Sequence, residues 1–255
     1  NNKVIGLKVS IKTAEQIRKY SARAERNNAV YNFQDIIAVG AAMKRVKNEA
    51  KAAASSPANV LITGESGTGK ELFAQAIHNA SSRFAGPFVP ISCGGFSRET
   101  VETVLIGTEK NPGKFIQADG GTLFLDGISE MSQDMQSFLL RFLEDGIVTP
   151  IGSRRSVHAD VRVIAAAGSE VLQKVKDGSF RLDLYYRLNV LRIDLPPLRE
   201  RQADMQELSN YFVTLLSAGY GKNIFSVSAE TVERFKANYW PGNLRQLRNI
   251  IERSL

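Results

Sequence analysis

The run Gly64-Glu65-Ser66-Gly67-Thr68-Gly69-Lys70 follows three apolar residues, Val60-Leu61-Ile62, and opens into a helical pattern at Glu71. The spacing is G-x-x-x-x-G-K, placed between a strand and a helix. Glycines at these places let backbone N–H groups close around phosphates, the helix N-terminus adds positive potential, and the lysine reaches the β- and γ-phosphates. A glycine-rich turn can match the spacing by chance; the flanking strand and helix are what make it a phosphate loop. The loop usually ends in Ser or Thr to touch Mg²⁺, and here that position is Glu71.

Such a loop belongs in a parallel sheet, and the rest of the chain provides one. From residue 59 onward, apolar runs predict strands over 59–63, 88–92, 122–125, 161–166 and 190–194. Amphipathic stretches between them predict helices near 70–80, 98–106, 133–144 and 171–176. Strands separated by crossover helices imply an α/β fold with a five-stranded parallel sheet covered on both faces. After Pro196-Pro197, helical patterns over about 204–218, 229–237 and 243–253 follow with no strand between them, which predicts a smaller α-helical subdomain. The 255 residues, 43% of them apolar, suffice for one large and one small unit with a proper core. Upstream, Ile5, Leu7, Val9 and Ile11 alternate like a half-buried strand. Residues 1–12 are read as the end of a truncated N-terminal domain. Thr13 and Gln16 form a capping box that opens a linker helix, within 13–32, with Ile17, Tyr20 and Ala24 along one face.

Composition removes several function classes. The formal charge of +7 invites a nucleic-acid reading, but Lys3, Lys8, Lys12, Arg18, Lys19, Arg23 and Arg26 against Glu15 and Glu25 place +5 of it in residues 1–30. The main body is nearly neutral, and the basic stretch reads as a solvated linker rather than a phosphate-binding arm. The single cysteine, Cys93, and two histidines exclude an internal disulfide and a multi-cysteine zinc site. Any metal must be held by oxygen. No apolar run comes near the roughly 20 residues a membrane helix needs, and no signal-peptide pattern opens the chain, so the expectation is a cytoplasmic protein with no membrane partner.

A second motif, Gly120-Gly121-Thr122-Leu123-Phe124-Leu125-Asp126, is an apolar strand ending in an acid. It suits a Walker B strand whose Asp126 holds Mg²⁺ through its water shell. The next position normally supplies the general base that activates water, and Gly127 has no proton acceptor.

With FRLDLYYRLNV at 180–190, LPPLRER at 195–201 and YWPGNLRQL at 239–247, these motifs resemble the central AAA+ domain of bacterial enhancer-binding proteins, the sigma-54 activators. The similarity covers about 33 to 255. It implies an AAA+ P-loop NTPase fold, with a nucleotide-binding subdomain over 33–196 and an α-helical lid over 197–255. Phe33, Ile36, Ile37 and Met43 resemble the stretch leading to the adenine pocket, with Ala38 where a glycine is usual. The resemblance implies ATP and Mg²⁺ as ligands, bound by Ile37, by Gly64, Glu65, Ser66, Gly67, Thr68, Gly69, Lys70 and Glu71, by Asp126, and by Arg245 as the sensor II arginine. Arg181 and Arg187 match the paired arginine fingers supplied to a neighbouring subunit, which implies a homo-oligomer, from dimer to hexamer or heptamer. A surface ion pair is the ordinary alternative for each arginine. In the family, an N-terminal sensory domain precedes this module, which implies that residues 1–12 are the end of a truncated sensory domain, and a helix-turn-helix DNA-binding domain follows it.

Four departures cluster on one pathway. Leu105–Lys110 resembles the lead into the GAFTGA loop that grips sigma-54, yet only Asn111 and Pro112 precede Gly113, where the family pattern resumes. The catalytic glutamate position is Gly127. Ser92 stands where an asparagine switches that glutamate, and Ala167-Gly168 replace the Thr-Asn of sensor I. Their joint loss implies a degenerate ATPase; Glu130 is the remaining candidate base. The chain therefore reads as an ATP-binding regulatory module that hydrolyses poorly, lets ATP control self-assembly, and works without sigma-54. It resembles the dihydroxyacetone-operon type of regulator, with RNA polymerase and DNA reached through domains absent from this sequence. The alternative is an active AAA+ ATPase that remodels a partner such as sigma-54 RNA polymerase.

Overall fold

The structure, a computed structural model, describes residues 29–94, 100 and 102–255; the expected strand over 5–11 and most of the linker lie outside them. In chain order come α1 (Ala41–Ala54), β1 (Val60–Thr63), α2 (Lys70–Asn79) and β2 (Phe88–Ser92). A π-helical turn (Glu102–Ile106), α3 (Lys114–Gln117), β3 (Thr122–Asp126) and α4 (Gln133–Asp145) follow. A hairpin of β4 (Ile147–Val148) and β5 (Val157–His158) precedes β6 (Arg162–Ala167), α5 (Val171–Lys176), α6 (Leu182–Leu188) and β7 (Leu191–Asp194). Three helices end the chain: α7 (Met205–Gly219), α8 (Ala229–Lys236) and α9 (Asn243–Ser254).

Five strands form one sheet in the order β2-β3-β6-β1-β7, all parallel. Their sequences are nearly continuous apolar runs because both faces are covered. Leu61, Val89, Leu123 and Val163 point into one layer with Leu139 of α4 and Leu184 of α6. Their neighbours Val60, Ile62, Phe124 and Ile164 point into the other, with Val46 of α1 and Ile77 of α2. A third cluster, around Trp240, Met205, Leu208 and Leu247, is the core of the helical end. The expected fold class is the one found.

Some elements differ from the expectation. Helix α1 has no counterpart among the expected helices because its buried face is built from Met43, Val46, Ala50, Ala53 and Ala54, a weak apolar stripe in a lysine-rich run. The guanidinium of Arg162, itself buried, ties β6 to the end of this helix by donating to the carbonyls of Ala53 (2.7 Å) and Ala58 (3.1 Å). A cation there faces the negative end of the helix dipole, and burial still pushes its pKa down to about 10. The predicted helix over 98–106 is, in its described part, the π-helical turn. It ends in a tight turn: the Thr108 N–H donates to Asn111 O at 2.8 Å, and the Ile151 N–H donates to Gly107 O at 2.9 Å, which fastens the turn to the segment between β4 and β5.

Candidate nucleotide-binding cleft

Parallel sheets present their ligand sites at the carboxyl ends of the strands. A cleft of about 940 Å³ opens there, over β1, β3 and β6, between the sheet and the helical end. One wall is the loop 64–69. Gly69 sits at φ +101 as the N-cap of α2, and a Cβ on Gly67 (φ +77) would come within 2.4 Å of Gly242 O. Among the described residues the N–H groups of Gly67, Thr68, Gly69 and Lys70 have no protein acceptor. The Lys70 ammonium donates only to the carbonyls of Gly64 (2.8 Å) and Glu65 (3.0 Å), and Thr68 Oγ1 donates to Glu65 O (2.9 Å). Burial lowers the Lys70 pKa, against the pull of Asp126 and Glu170; Arg245 adds to the lowering. A partly desolvated ammonium beside free N–H groups is a setting that favours a polyanion, so these residues fit a polyphosphate.

Asp126 ends β3 on the same cleft, level with Ser92 of β2 and Ala166 of β6. Among the described residues no group of three His, Cys, Asp or Glu could hold a metal alone. Asp126 therefore fits Mg²⁺ in the manner that ion prefers, one carboxylate with phosphate oxygens and water completing the shell. Glu71 also lines the cleft, where its carboxylate accepts from Gln75 Nε2 at 3.0 Å.

The three departures of the strand ends meet around Asp126. Ser92, Gly127 and Gly168 all line the cleft. Gly127 lies in the left-handed region, φ 74 and ψ 47, as the N-cap of the 3-10 turn Ile128–Glu130. A Cβ on Gly168 would lie 2.0 Å from Glu170 Oε2, so the Glu170 carboxylate occupies the place of a side chain there.

The helical end closes on the loop through side chains that the sequence did not single out. Asn243 Nδ2 donates to Ser66 O (3.0 Å) and Glu65 Oε2 (3.1 Å), while its Oδ1 accepts from the Leu198 N–H at 2.7 Å. The Leu244 N–H donates to Gly67 O at 3.0 Å. Arg199 grips both oxygens of Glu65, at 2.6 and 2.9 Å, while its guanidinium lies 4.5 Å over the Tyr239 ring. Arg199, then Asn243, hold the Glu65 carboxyl below its usual range. Arg245 reaches Ser66 Oγ at 2.9 Å. Beyond the loop, Ile36, Ile37, Tyr31, Tyr211 and Phe212 line the same cleft. The Ile37 carbonyl accepts from Arg201 Nη2 at 3.1 Å, and Arg201 is paired with the buried Asp204, whose Oδ1 accepts from the N–H groups of Val39 and Gly40 at 2.7 Å each.

Residues 36–194 match the sigma-54 interaction domain and residues 199–255 match the AAA+ ATPase lid domain. The chain belongs to the sigma-54 interaction domain family. It is 42% identical to a signal-transduction and transcriptional-control protein of Clostridium beijerinckii, over 99% of this chain and 42% of that protein. It is 41% identical to the regulatory protein LuxO of Vibrio cholerae (96% and 56%) and 42% identical to the transcriptional regulatory protein TyrR of Salmonella typhimurium (99% and 48%). The chain thus spans about half the length of these relatives. Its fold matches that of NtrX from Brucella abortus solved in complex with ATP, with a TM-score of 0.83 and 33% identity, covering 94% of this chain and 52% of that one.

Two of the family-type positions stand apart from the cleft. Arg181 is exposed and pairs with Asp183 (2.8 Å); Arg187, exposed on α6, pairs with Glu144 (3.2 Å). Ile37, Glu65 to Glu71, Asp126 and, from the lid, Arg245 thus line one cleft, Gly64 lines a smaller pocket that shares Glu65 and Gly168 with it, and Arg181 and Arg187 lie outside both. Tyr31, Arg199, Arg201 and Asn243 are residues of the cleft and its latch that carried no assigned role in the sequence. Of these, only the last three sit inside recognisable motifs.

Proposed function

We propose that this chain is the ATP-binding module of a bacterial transcription regulator, that Mg²⁺ accompanies the nucleotide, and that bound ATP controls self-assembly while hydrolysis is slow. The observation that carries this reading is the make-up of one cleft. The phosphate-loop residues Glu65 to Lys70 and Asp126 share it with Ser92, Gly127 and Gly168, three positions that offer neither carboxylate nor amide. In this reading the loop N–H groups, Thr68 and Lys70 hold the phosphates, Arg245 reaches them from the lid, and Asp126 orients the cation through its water shell. Bound Mg²⁺ supplies charge neutralisation of the phosphate oxygens. Position 127 can take no proton from an attacking water, and the loss of a positioned base costs about 10²–10⁴-fold in rate.

The exposure of Arg181 and Arg187, away from their own cleft, supports a role at the γ-phosphate of a neighbouring copy. Residues 33–196 then act as the nucleotide-binding subdomain and 197–255 as the lid. The tight turn at Thr108–Asn111 supports a regulator that works without sigma-54, of the dihydroxyacetone-operon regulator type, in the cytoplasm. RNA polymerase and DNA would be reached through other parts of the full-length protein; the relatives' names as transcriptional regulators support that class.

A second reading, an active ATPase that remodels sigma-54 RNA polymerase, is favoured by the family match itself. Transcription in vitro from the protein's own target promoter with each holoenzyme separates them. The first reading expects activity with the housekeeping holoenzyme. ATP-dependent open-complex formation only with the sigma-54 holoenzyme would overturn it.

A further inference from the structure

Tyr31 precedes residue 36, where the family match begins, yet its side chain lines the cleft. Its backbone is fixed at both polar groups. The N–H donates to Gln75 Oε1 at 3.2 Å, and the carbonyl accepts from Asn79 Nδ2 at 2.8 Å. The same two amides hold the preceding residues, since the Val30 N–H donates to Gln75 Oε1 at 2.8 Å and Asn79 Nδ2 donates to Ala29 O at 3.1 Å. Gln75 and Asn79 are one turn apart on α2 and share a face of that helix. Gln75 is only 5% exposed, and its Nε2 donates to Glu71, the residue next to Lys70. A carboxamide this buried is costly to leave unpaired, so residues 29–31 are strapped to the helix that the phosphate loop opens.

The strap leaves Tyr31 38% exposed at the cleft, where Tyr211, 44% exposed, also stands. Both tyrosines line this cleft, and burial, then Tyr31 and Asp35, raise the Tyr211 pKa. Two aromatic side chains beside Ile36 and Ile37 offer a flat apolar surface with polar edges, the character that a purine face selects. We propose that Tyr31 is a base-contacting residue of this cleft, held in place by Gln75 and Asn79, so that the affinity for the base depends on how residues 29–32 lie against α2. This rests on the nucleotide-binding function proposed above.

The test is calorimetric titration of the full chain with ATP and, separately, with inorganic tripolyphosphate, which has phosphates and no base. Tyr31→Ala is expected to weaken ATP about fivefold or more, the size of a base–aromatic contact, and to leave tripolyphosphate binding unchanged. Tyr31→Phe should restore ATP affinity because the ring is what matters. Gln75→Leu should weaken ATP in the same direction by freeing the strap. ATP binding that Tyr31→Ala leaves intact, or an equal loss for both ligands, overturns this inference alone. Absence of ATP binding by the unaltered chain overturns the proposed function and this inference with it.

Discussion

The residue after Asp126 is held in the left-handed region, at φ 74, and that conformation decides what position 127 tolerates. A side chain there costs roughly 1–2 kcal/mol. We therefore expect Gly127→Glu to lower unfolding free energy by about that amount in urea, and to recover little turnover, because Ser92 and Gly168 still lack the switch and sensor groups. A variant as stable as the parent with turnover raised about 100-fold would contradict this. Lys70→Ala should cost at least about tenfold in ATP affinity while leaving the urea midpoint unchanged, since the ammonium is bonded only to loop carbonyls. Calorimetry beside denaturation checks both halves. The residues of the phosphate loop were legible in sequence because each acts through its own backbone and its immediate neighbours. Arg199, Arg201 and Tyr31 were not, because their partners Glu65, Ile37 and Gln75 are brought to them only by the tertiary fold.

Between elements, the lid is latched to the phosphate loop by Asn243 and by the Arg199–Glu65 pair. Asn243→Ala removes the acceptor of the buried Leu198 N–H and a donor to Ser66 O. It should destabilise the lid by about 1–3 kcal/mol, read from the fluorescence of the single tryptophan, Trp240, which is 1% exposed in the lid core. A urea midpoint equal to the parent's would argue against the latch. Glu65 makes the latch pH-dependent. Its folded pKa is depressed, so its contribution is fully present above the ordinary glutamate value of about 4.3 and is lost as pH falls through the lowered value. Acid titration followed at Trp240 should show this transition, and Glu65→Gln should abolish it; identical profiles would contradict the assignment. The strands were legible because two-sided burial makes them continuous apolar runs. Helix α1, with its alanine face, and the two-residue strands β4 and β5 left no comparable signal.

At the scale of the whole molecule, Arg181, the N-cap of α6, and Arg187, within that helix, are exposed and stand away from their own cleft, and surface ion pairs such as theirs add little to the monomer. Arg181→Ala and Arg187→Ala should therefore leave monomer stability nearly unchanged while reducing ATP-promoted self-association, measured by light scattering over a range of protein concentrations. Loss of ATP affinity in place of loss of assembly would refute an intersubunit role. The parallel sheet and the helical lid were both legible from strand–helix alternation and the change of pattern after Pro197. Self-assembly was expected from the family resemblance alone, because an exposed arginine looks the same in sequence whether it faces water or a neighbour. The central claim is that this cleft holds ATP without consuming it at an enzyme's rate. ATP affinity and ATP turnover measured on one sample test it most directly. Saturable binding that Lys70→Ala weakens at least about tenfold is expected, with turnover far below the usual enzymatic range of about 1–10³ s⁻¹; turnover within that range would refute a cleft that only holds its nucleotide.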